Sequence, residues 1–317
     1  MPRGRRRLGA VARAERSLPA VSLTIPALDR RSDLRTVDLL PRLLADPATA
    51  VLRLHGDAAR VTRDGADARV GLGAPRPDDA SRLAFYLGEA EGRQHVGVVD
   101  DPAGDDDAGL DTLRQVGAHL DPLGASLFAT TLALANWHRT HEFCPRCGSP
   151  TVPVHAGWVR RCTVDGSEHY PRTDVAVIMS VVDDADRLLL ANGRGFRSGG
   201  MSVLAGFVEP GETLAAAVAR EVGEEVGVEV EDVVYLGDQP WPFPSSLMVG
   251  FTARARGTDL RLQDDEIAAA RWFSREELLA AIADGSVHIP GSVSIARRLV
   301  EHWYGGPIQA PETVSMR

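Results

Sequence analysis

The stretch GFVEPGETLAAAVAREVGEEVGV, residues 206–228, decides the fold of the part of the chain around it. Its first six residues hold a proline between two glycines, which is typical of a loop with special backbone angles. The rest is rich in alanine, begins at Thr213, a good N-cap residue, and ends at Gly227, where a C-terminal glycine belongs. The sequence therefore predicts a loop followed by a helix.

Three glutamates near the end of this helix indicate a metal site. Glu221, Glu224 and Glu225 are three and four residues apart, so their carboxylates are predicted to share one helical face. Like charges at this spacing repel, whereas a hard divalent cation such as Mg²⁺ or Mn²⁺ would turn the repulsion into coordination. Arg220 and Glu212, two turns apart, are expected to pair and to tie the loop to the helix.

A solvated acidic helix face is the alternative interpretation of the same residues. Gly223 argues against it, because a glycine inside a helical turn costs about 1 kcal/mol relative to alanine. The glycines and proline of the preceding loop also have no purpose in a merely solvated helix. The residues alone leave both interpretations open.

The stretch resembles the Nudix box, G-x5-E-x7-R-E-U-x-E-E-x-G-U, in which U is a bulky aliphatic residue. Every defined position is filled, by Gly206, Glu212, Arg220, Glu221, Val222, Glu224, Glu225, Gly227 and Val228. The strand, helix, strand order around it fits a Nudix α/β/α sandwich with a mixed sheet, so the expected fold class is α+β.

The composition is that of an ordinary globular protein. The chain has 317 residues, enough for two domains, of which 44% are hydrophobic and 25% charged. Its net charge of −9 argues against nucleic-acid binding through overall charge. No apolar run reaches the ~20 residues that a membrane helix needs, and the three cysteines do not make a disulfide framework. We expect a cytoplasmic protein without a membrane partner.

Five segments are predicted along the chain. An arginine-rich start lacks the apolar run of a signal peptide and is expected to be a disordered tail without an assigned function. The segments are a basic tail at 1–18, a β-rich N-terminal domain at 19–140, a zinc-ribbon-like segment at 141–171, a catalytic domain at 172–306 and a second tail at 307–317.

Apolar patterns predict the main elements of both domains. The acidic run at 100–107 is expected to be a loop. In the N-terminal domain we predict strands at 51–54, 69–72, 83–87 and 95–99, and helices at 110–120 and 121–140. In the catalytic domain we predict strands at 175–182, 187–191, 204–208, 228–236 and 247–252, and helices at 213–227, 274–283 and 293–303.

A CxxC pair precedes the catalytic domain. Cys144 and Cys147 have the spacing of a zinc knuckle, and Cys162 follows 15 residues later. A structural zinc site needs a fourth ligand, and the position that a second CxxC would fill is aspartate. The candidates for the fourth ligand are Asp165, His169 and His155. The alternative is a degraded site whose loop is held by packing.

The segment DQPWPFPSS, residues 238–246, alternates three prolines with two aromatic residues. Proline stiffens the backbone, so the rings are expected to be preset in an extended segment. Near an acidic metal site, rigid aromatic side chains favour a platform for a flat ring. A rigid connector or a polyproline ligand of a partner domain is the alternative.

Taken together, the box, the CxxC pair and QPWPFPSS resemble the NADH pyrophosphatase (NAD-capped RNA hydrolase) branch of the Nudix hydrolases. The resemblance implies that Glu221, Glu224 and Glu225 bind Mg²⁺ or Mn²⁺, with Glu225 as the catalytic base. It implies further metal contacts from Glu266 and from the backbone carbonyl of Ala205, and structural zinc at the cysteines. The implied substrate-binding residues are Gln239, Pro240, Trp241, Pro242, Phe243, Pro244, Ser245, Ser246, Phe207, Tyr170, Arg114 and Ala296.

Two departures from the family pattern stand out, Asp165 in place of a cysteine and Asp238 in place of a serine. The resemblance implies hydrolysis of NADH to NMNH and AMP, slower hydrolysis of NAD, and a homodimer. Decapping of NAD-capped RNA by the same chemistry is the nearest alternative. Others are hydrolysis of ADP-ribose or another nucleoside diphosphate derivative, and a nucleotide sensor without catalysis.

Overall fold

The computed structural model describes residues 18, 20–24, 27–101, 109–262 and 266–313. The predicted basic tail lies outside this part of the chain except for Leu18, and so do residues 102–107 of the predicted acidic loop. None of the described helices is long and apolar enough to cross a membrane.

The N-terminal part of the described chain is a sheet covered by helices. Its helices are α1 (Leu39–Ala45), α2 (Leu113–Val116) and α3 (Pro122–Thr140), and its strands are β1 (Ala50–His55), β2 (Ala58–Asp64), β3 (Asp67–Val70), β4 (Leu72–Gly73), β5 (Ala84–Ala90), β6 (Arg93–Asp100) and β7 (Leu110–Thr112). Strands β1 and β6 pair in parallel, and their neighbours β2 and β5 are antiparallel to them.

The two faces of this sheet bury different side chains. On β5, Phe85 and Leu87 join the apolar cluster under α3, whereas Ala84 and Tyr86 join the cluster under α1. This is the two-residue alternation of a strand that is covered on both sides. The β-rich N-terminal fold is confirmed, and all four strand positions predicted for it are occupied by strands.

The helix predicted for residues 110–120 is largely wrong. Leu110, Asp111 and Thr112 form β7, which pairs antiparallel with β2. The helical turn is confined to α2, because the backbone N–H of Thr112 donates to the Gln115 side chain at 2.8 Å and so caps the turn only there. The sheet thus takes the backbone groups that a longer helix would have needed.

A three-stranded antiparallel ribbon follows, formed by β8 (Thr151–Val154), β9 (Val159–Cys162) and β10 (Glu168–His169). It is fastened to α3 through His138, whose ring is buried. Arg160 Nη1 donates to His138 Nδ1 at 2.9 Å, and His138 Nε2 lies 2.8 Å from the carbonyl of Gly157. Because arginine only donates, the imidazole proton is on Nε2 and the ring is neutral.

The catalytic domain is the third part of the described chain. Its strands are β11 (Asp174–Val182), β12 (Leu188–Gly193), β13 (Leu204–Phe207), β14 (Val230–Trp241), β15 (Ser246–Ala255) and β16 (Ile267–Phe273), and its helices are α4 (Leu214–Val226), α5 (Arg275–Ala283) and α6 (Ile295–Tyr304). The strand order is β14-β15-β11-β12-β16, with β13 on β11.

This sheet is mixed and has helices on both faces. β11 and β15 run parallel over their whole lengths, while the other pairs are antiparallel. On β11, Val177 and Met179 pack under α4, whereas Ile178 packs under α5 and α6. The predicted α/β/α sandwich is confirmed, and it brings the start of β13, the α4 helix and β16 to one end of the sheet.

Residues 307–313, predicted as a tail, instead pack against the catalytic domain. Ile308 is 4% exposed and Thr313 is 6% exposed. The apolar cluster under α6 includes Ile308. The sequence conceals this packing, because the apolar contribution is small: Ile308 is buried in the cluster and Ala310 packs against it.

Candidate active site and metal centre

The capping residues of α4 are the ones the sequence predicted. Thr213 Oγ1 accepts a hydrogen bond from the backbone N–H of Ala216 at 3.2 Å. Gly227 ends the helix with φ of 71°, a left-handed conformation that favours glycine. Between them, Val218, Val222 and Val226 are fully buried on the face that meets the sheet. The apolar stripe therefore fixes the rotation of the helix and, with it, the direction of the glutamates.

Two of the box glutamates lie on the edge of that buried stripe. Glu221 and Glu225, one turn apart, are both buried to more than nine-tenths. Together with Glu266, at the start of β16, they line a cavity of about 660 Å³ that we call the carboxylate cavity. Ala205 and Phe207 of β13 line it as well. The structure thus brings together four of the predicted metal residues and one predicted substrate residue.

Burial dominates the electrostatics of this cavity. Burial, and after it the negative charges of Glu221 and Glu266, raise the pKa of Glu225 to about 8. Burial also raises the pKa of Glu221, although Arg220 opposes the change. Oε2 of Glu225 is buried without a hydrogen-bond partner in the described chain. An unpartnered oxygen among three carboxylates is the donor set that a hard divalent cation takes.

Glycine at 206 is required by the close approach of a carboxylate. A Cβ on Gly206 would lie only 1.9–2.2 Å from the carboxylate atoms of Glu221. Arg220 holds that carboxylate from the other side, with Nη1 donating to Glu221 Oε1 at 2.9 Å. Arg220 Nε also donates to Glu212 Oε1 at 2.9 Å, so the predicted pairing between the loop and the helix is present.

Glu224 stands apart from the other two glutamates. Its side chain is 56% exposed and accepts from Arg220 Nη1 at 3.1 Å. It lies outside the wall of the carboxylate cavity, because the apolar stripe turns its position toward solvent. Gly223 is exposed, and a Cβ there would meet nothing within 4 Å. The glycine taken as a sign of function therefore has no packing reason.

A glycine- and arginine-rich loop, residues 193–200, forms part of the wall of the carboxylate cavity. Arg194 and Phe196 line the cavity, and the backbone N–H of Arg194 donates to the carbonyl of Glu266 at 2.7 Å. Arg194 and Arg197 are exposed. The sequence analysis did not single out this loop. Its signal was a cluster of arginines and glycines directly after a predicted strand.

The proline-rich segment 239–246 continues β14 and turns into β15. Pro240, Trp241, Pro242, Ser245 and Ser246 line a second cavity of about 380 Å³, the outer cavity, whose other wall is α3. Asn136 of α3 fixes this turn, since its Nδ2 donates to the carbonyls of Pro242 at 2.9 Å and Pro244 at 3.2 Å.

Gln239 faces the interior and not a cavity. Its side chain is fully buried. Nε2 donates to the carbonyls of Ser22 at 2.8 Å and Val293 at 2.7 Å, and Oε1 accepts from the N–H of Ile295 at 2.8 Å. These bonds occupy both ends of the amide, so Gln239 anchors the segment to α6 and does not present its side chain to a ligand.

The other predicted substrate residues lie in several places. The guanidinium of Arg114 stacks 3.9 Å from the ring centre of Phe243 and 5.2 Å from that of Trp241. Ala296, at the start of α6, lines a third cavity described below. Tyr170 is 63% exposed and donates to Glu168 at 3.0 Å, outside the walls of all three cavities. Asp238 accepts from Tyr235, on the far side of β14.

The third cavity borders the other two. This middle cavity, of about 180 Å³, is lined by Arg114, Trp241 and Ala296. It shares Ile178 and Ser202 with the carboxylate cavity and Trp241 with the outer cavity. The middle cavity therefore lies between the glutamates and the aromatic segment, with shared side chains at both of its borders.

The cysteines form a separate metal-binding cluster. The ligand atoms of Cys144, Cys147, Cys162 and Asp165 all lie within 4.8 Å of one another. Sγ of Cys147 is 3.5 Å from Sγ of Cys162, and Sγ of Cys144 is 3.9 Å from Oδ2 of Asp165. The ligands of a tetrahedral zinc with Zn–S of about 2.3 Å lie about 3.8 Å apart, so the donor set and its spacing fit zinc.

Neighbouring groups prepare these ligands. Ser167 Oγ and Ser167 N donate to Asp165 Oδ1 at 2.6 and 2.8 Å, which holds the pKa of Asp165 well below its usual range. Ser167 also lowers the pKa of Cys144, to about 6. The group of ligand atoms within 4.8 Å of one another contains neither of the other candidate fourth ligands. His169 lies beside the group, with Nε2 3.2 Å from Ser167 Oγ, and His155 pairs with Glu168 at 3.2 Å.

Comparison with known proteins gives two family matches. A model described as "NUDIX domain" matches residues 171–289, and one described as "NADH pyrophosphatase zinc ribbon domain" matches residues 139–170. "NAD-capped RNA hydrolase NudC" of Mycobacterium bovis is 40% identical over 304 residues, which are 91% of this chain and 95% of that protein. "NAD-capped RNA hydrolase NUDT12" of Homo sapiens is 41% identical over 191 residues, 56% of this chain and 41% of that protein.

The α/β/α sandwich and the box helix with its carboxylate cavity define a Nudix hydrolase, an enzyme class that uses divalent metal. The similarity to NudC extends over most of both chains and includes the ribbon. The chain therefore belongs to the NudC family of Nudix hydrolases, and the predicted resemblance is confirmed.

Proposed function

We propose that the chain hydrolyses the pyrophosphate bond of NADH and NAD with Mg²⁺ or Mn²⁺ in the carboxylate cavity. One bridging P–O bond is cleaved by water, and the products are NMNH (or NMN) and AMP. The observation that carries the proposal is a cavity with three carboxylates, one of which has a buried, unpartnered oxygen, joined to an arginine-stacked aromatic segment.

Divalent cations at such a site neutralise the substrate phosphates, polarise a phosphoryl oxygen and lower the pKa of bound water. Glu221, Glu225 and Glu266 would supply the oxygen ligands, and Ala205 lines the same cavity. We assign to Glu225 the removal of the proton from the attacking water, since its carboxylate keeps an oxygen that the described chain leaves unpartnered. Arg220 fixes the direction of Glu221 through its bond to Oε1.

The aromatic segment supports a flat-ring substrate. Trp241 lies where the middle and outer cavities meet, and Phe207 lies on the rim of the carboxylate cavity with 60% of its surface exposed. An exposed aromatic ring beside a metal site offers a stacking surface for a base. Gln239 and Asn136 hold the segment in place from beneath.

Decapping of NAD-capped RNA is the second candidate function. The relatives named above carry that activity in their names. In this chain, Arg194 lines the carboxylate cavity and is exposed, and Arg197 is exposed on the same loop. Two cations at a cavity mouth would attract the phosphates of an RNA chain despite the acidic total.

One assay tests both candidates. The purified protein is given NADH, NAD, ADP-ribose and NAD-capped RNA with Mg²⁺ or Mn²⁺, and the products are separated by chromatography. NMNH and AMP from NADH support the first function, and AMP-ended RNA with NMN supports the second. Cleavage of ADP-ribose alone, or of none of the four, would overturn the proposal.

We further propose that Cys144, Cys147, Cys162 and Asp165 hold a structural zinc ion. Three thiolates and a carboxylate in tetrahedral spacing support zinc over a hard cation. The ion would tie the ribbon's loops together beneath the catalytic domain. Unpaired cysteines also fit a reducing cytoplasm, and the family resemblance suggests a homodimer, which light scattering of the purified protein would test.

A further inference from the structure

Residues 307–313, the C-terminal strap, are held by α6 at their beginning. The N–H of Ile308 donates to Glu301 Oε1 at 3.2 Å, and the carbonyl of Ile308 accepts from Arg297 Nη2. Arg297 and Glu301 are themselves a buried ion pair at 2.8 Å. Because both members of this ion pair also hydrogen-bond to the backbone of Ile308, they fix the position of the strap.

The end of the strap is held by two loops that border the cavities. Thr313 Oγ1 accepts from Arg197 Nη2 at 3.2 Å, and Glu312 Oε2 accepts from the N–H of Ser292 at 3.1 Å. A Cβ on Gly291 would lie 2.2 Å from the carbonyl of Thr313, so the backbones are in direct contact. Thr313 therefore links the glycine- and arginine-rich loop at residues 193–200 to the loop before α6.

Thr313 is also part of a cavity wall. It lines the middle cavity together with Trp241 and Ala296. The volume of about 180 Å³ is below the ~300–1,000 Å³ of pockets that hold whole drug-sized ligands. The middle cavity thus suits one end of a dinucleotide whose phosphates lie in the neighbouring carboxylate cavity.

We propose that Thr313 is a specificity-determining residue, through which the strap sets the size of the terminal ring that the middle cavity accepts. The hydroxyl accepts from Arg197, and a hydroxyl that accepts a hydrogen bond can also donate one, here to a polar edge of that ring. The proposal rests on the proposed hydrolysis of a dinucleotide, because it concerns the same site.

The test uses the full chain and three substrates, namely NADH, ADP-ribose and nicotinamide riboside diphosphate. The two shorter compounds keep the pyrophosphate and each lacks one terminal ring. Thr313→Tyr fills the cavity and is expected to raise KM for NADH about 10–200-fold, with kcat changed less than about two-fold. The KM of one of the two shorter compounds should be unchanged in Thr313→Tyr. The terminal ring that this compound lacks is then the ring that the middle cavity holds.

Matched variants separate a specificity role from a structural one. Gln309→Tyr also introduces a tyrosine, but at an exposed position of the strap, and it should leave KM for NADH unaltered. Thr313→Val keeps the shape of the side chain and removes the hydroxyl, so it should raise KM for NADH about 3–10-fold. Thr313→Ser keeps the hydroxyl and should have the KM of the wild type. If Thr313→Tyr fails to fold, as judged by its melting temperature, the Val and Ser variants decide.

Two outcomes would overturn the proposal. One is an unchanged KM for all three substrates in Thr313→Tyr. The other is a decrease of kcat that is equal for all three substrates. Failure of the wild-type protein to cleave NADH contradicts the proposed function instead, and calorimetric binding of the three compounds to the wild type and Thr313→Tyr then judges the strap separately.

Discussion

The three box glutamates have the same side chain and different surroundings. Glu221 is fixed by Arg220, Glu224 is on the rim, and Glu225 is buried with one oxygen unpartnered. The pKa of Glu225 is raised to about 8, with burial as the first cause. A carboxylate that is neither solvated nor paired gains most from a bound cation and can also exchange a proton near neutral pH.

We expect Glu225→Gln to lower kcat by about 10²–10⁴-fold and to leave the melting temperature unchanged or higher. The amide removes the proton acceptor and relieves the repulsion with Glu221 and Glu266. Glu224→Gln is the matched control and should lose less than about ten-fold, because Glu224 lies outside the cavity. Steady-state rates with NADH measure both, and near-wild-type activity of Glu225→Gln would remove its role as the base.

Two glycines of the box provide a second pair of variants. Gly206→Ala places a methyl group on the Glu221 carboxylate, so it should abolish Mg²⁺-dependent activity and lower stability. Gly223→Ala meets no atom within 4 Å and should stabilise the protein by about 0.5–1 kcal/mol, with unchanged activity. Urea titration and rates measure both effects. A loss of activity in Gly223→Ala would show that this glycine has a function.

At the scale of elements, α3 is the part that connects the N-terminal sheet, the ribbon and the catalytic domain. Its Asn136 holds the proline-rich turn, and its His138 holds the ribbon. Its Ala129 and Thr130 line the outer cavity. A change in this helix should therefore reach both the metal cluster and the substrate path.

His138 makes the ribbon's attachment sensitive to acid. Burial lowers the pKa of His138 to about 4, below the ~6.5 of an unfolded chain. Folding therefore favours the neutral form of His138. Its contribution to the free energy of unfolding is complete above about pH 6.5, shrinks as the pH falls, and is lost at about pH 4. Between pH 7.5 and 5 the wild type should lose about 2 kcal/mol more than His138→Gln, as measured by urea titration. His155→Gln changes an exposed ring and should lose as much stability as the wild type. If His138→Gln also lost as much stability as the wild type, His138 would not be the group that makes the fold sensitive to acid.

The ribbon supplies a prediction about metal content. Purified protein should hold one zinc ion per cluster, and Asp165→Ala should bind it at least about ten-fold more weakly in chelator competition. Asp165→Cys completes a four-cysteine site and should bind more tightly. Glu168→Gln changes a nearby carboxylate outside the cluster and should leave the affinity unaltered. Equal affinity in wild type and Asp165→Ala would exclude Asp165 as a ligand.

The sequence allowed prediction of those elements whose own residues determine them. The box helix carries its caps and its apolar stripe, and β11 is apolar from Val175 to Val182 except for Ser180. β2 was missed, because its exposed charged residues break the apolar pattern that only Ala59 and Val61 maintain. The inward direction of Gln239 was equally invisible, because its three partners come from distant parts of the chain.

At the scale of the whole molecule, the site is a sequence of cavities between parts that are far apart in the chain. Arg114 comes from the N-terminal part, Trp241 from β14 and Thr313 from the strap, and all three line the middle cavity. Local propensity contains no information on such contacts. Resemblance to a family could indicate Arg114 and Trp241, whereas Thr313 emerged only from the packing of the strap.

The parallel pairing of β11 with β15 has a consequence for how the enzyme is made. The connection between them contains α4 with the catalytic glutamates, as well as β13 and β14. Closing so long a loop costs entropy before its contacts form, and parallel pairs of this kind are slow to fold. Glu221 and Glu225 on α4 and Glu266 beside β16 come together at the carboxylate cavity only when this connection is folded against the sheet. We therefore expect a nascent chain to acquire hydrolytic activity only as a completed domain.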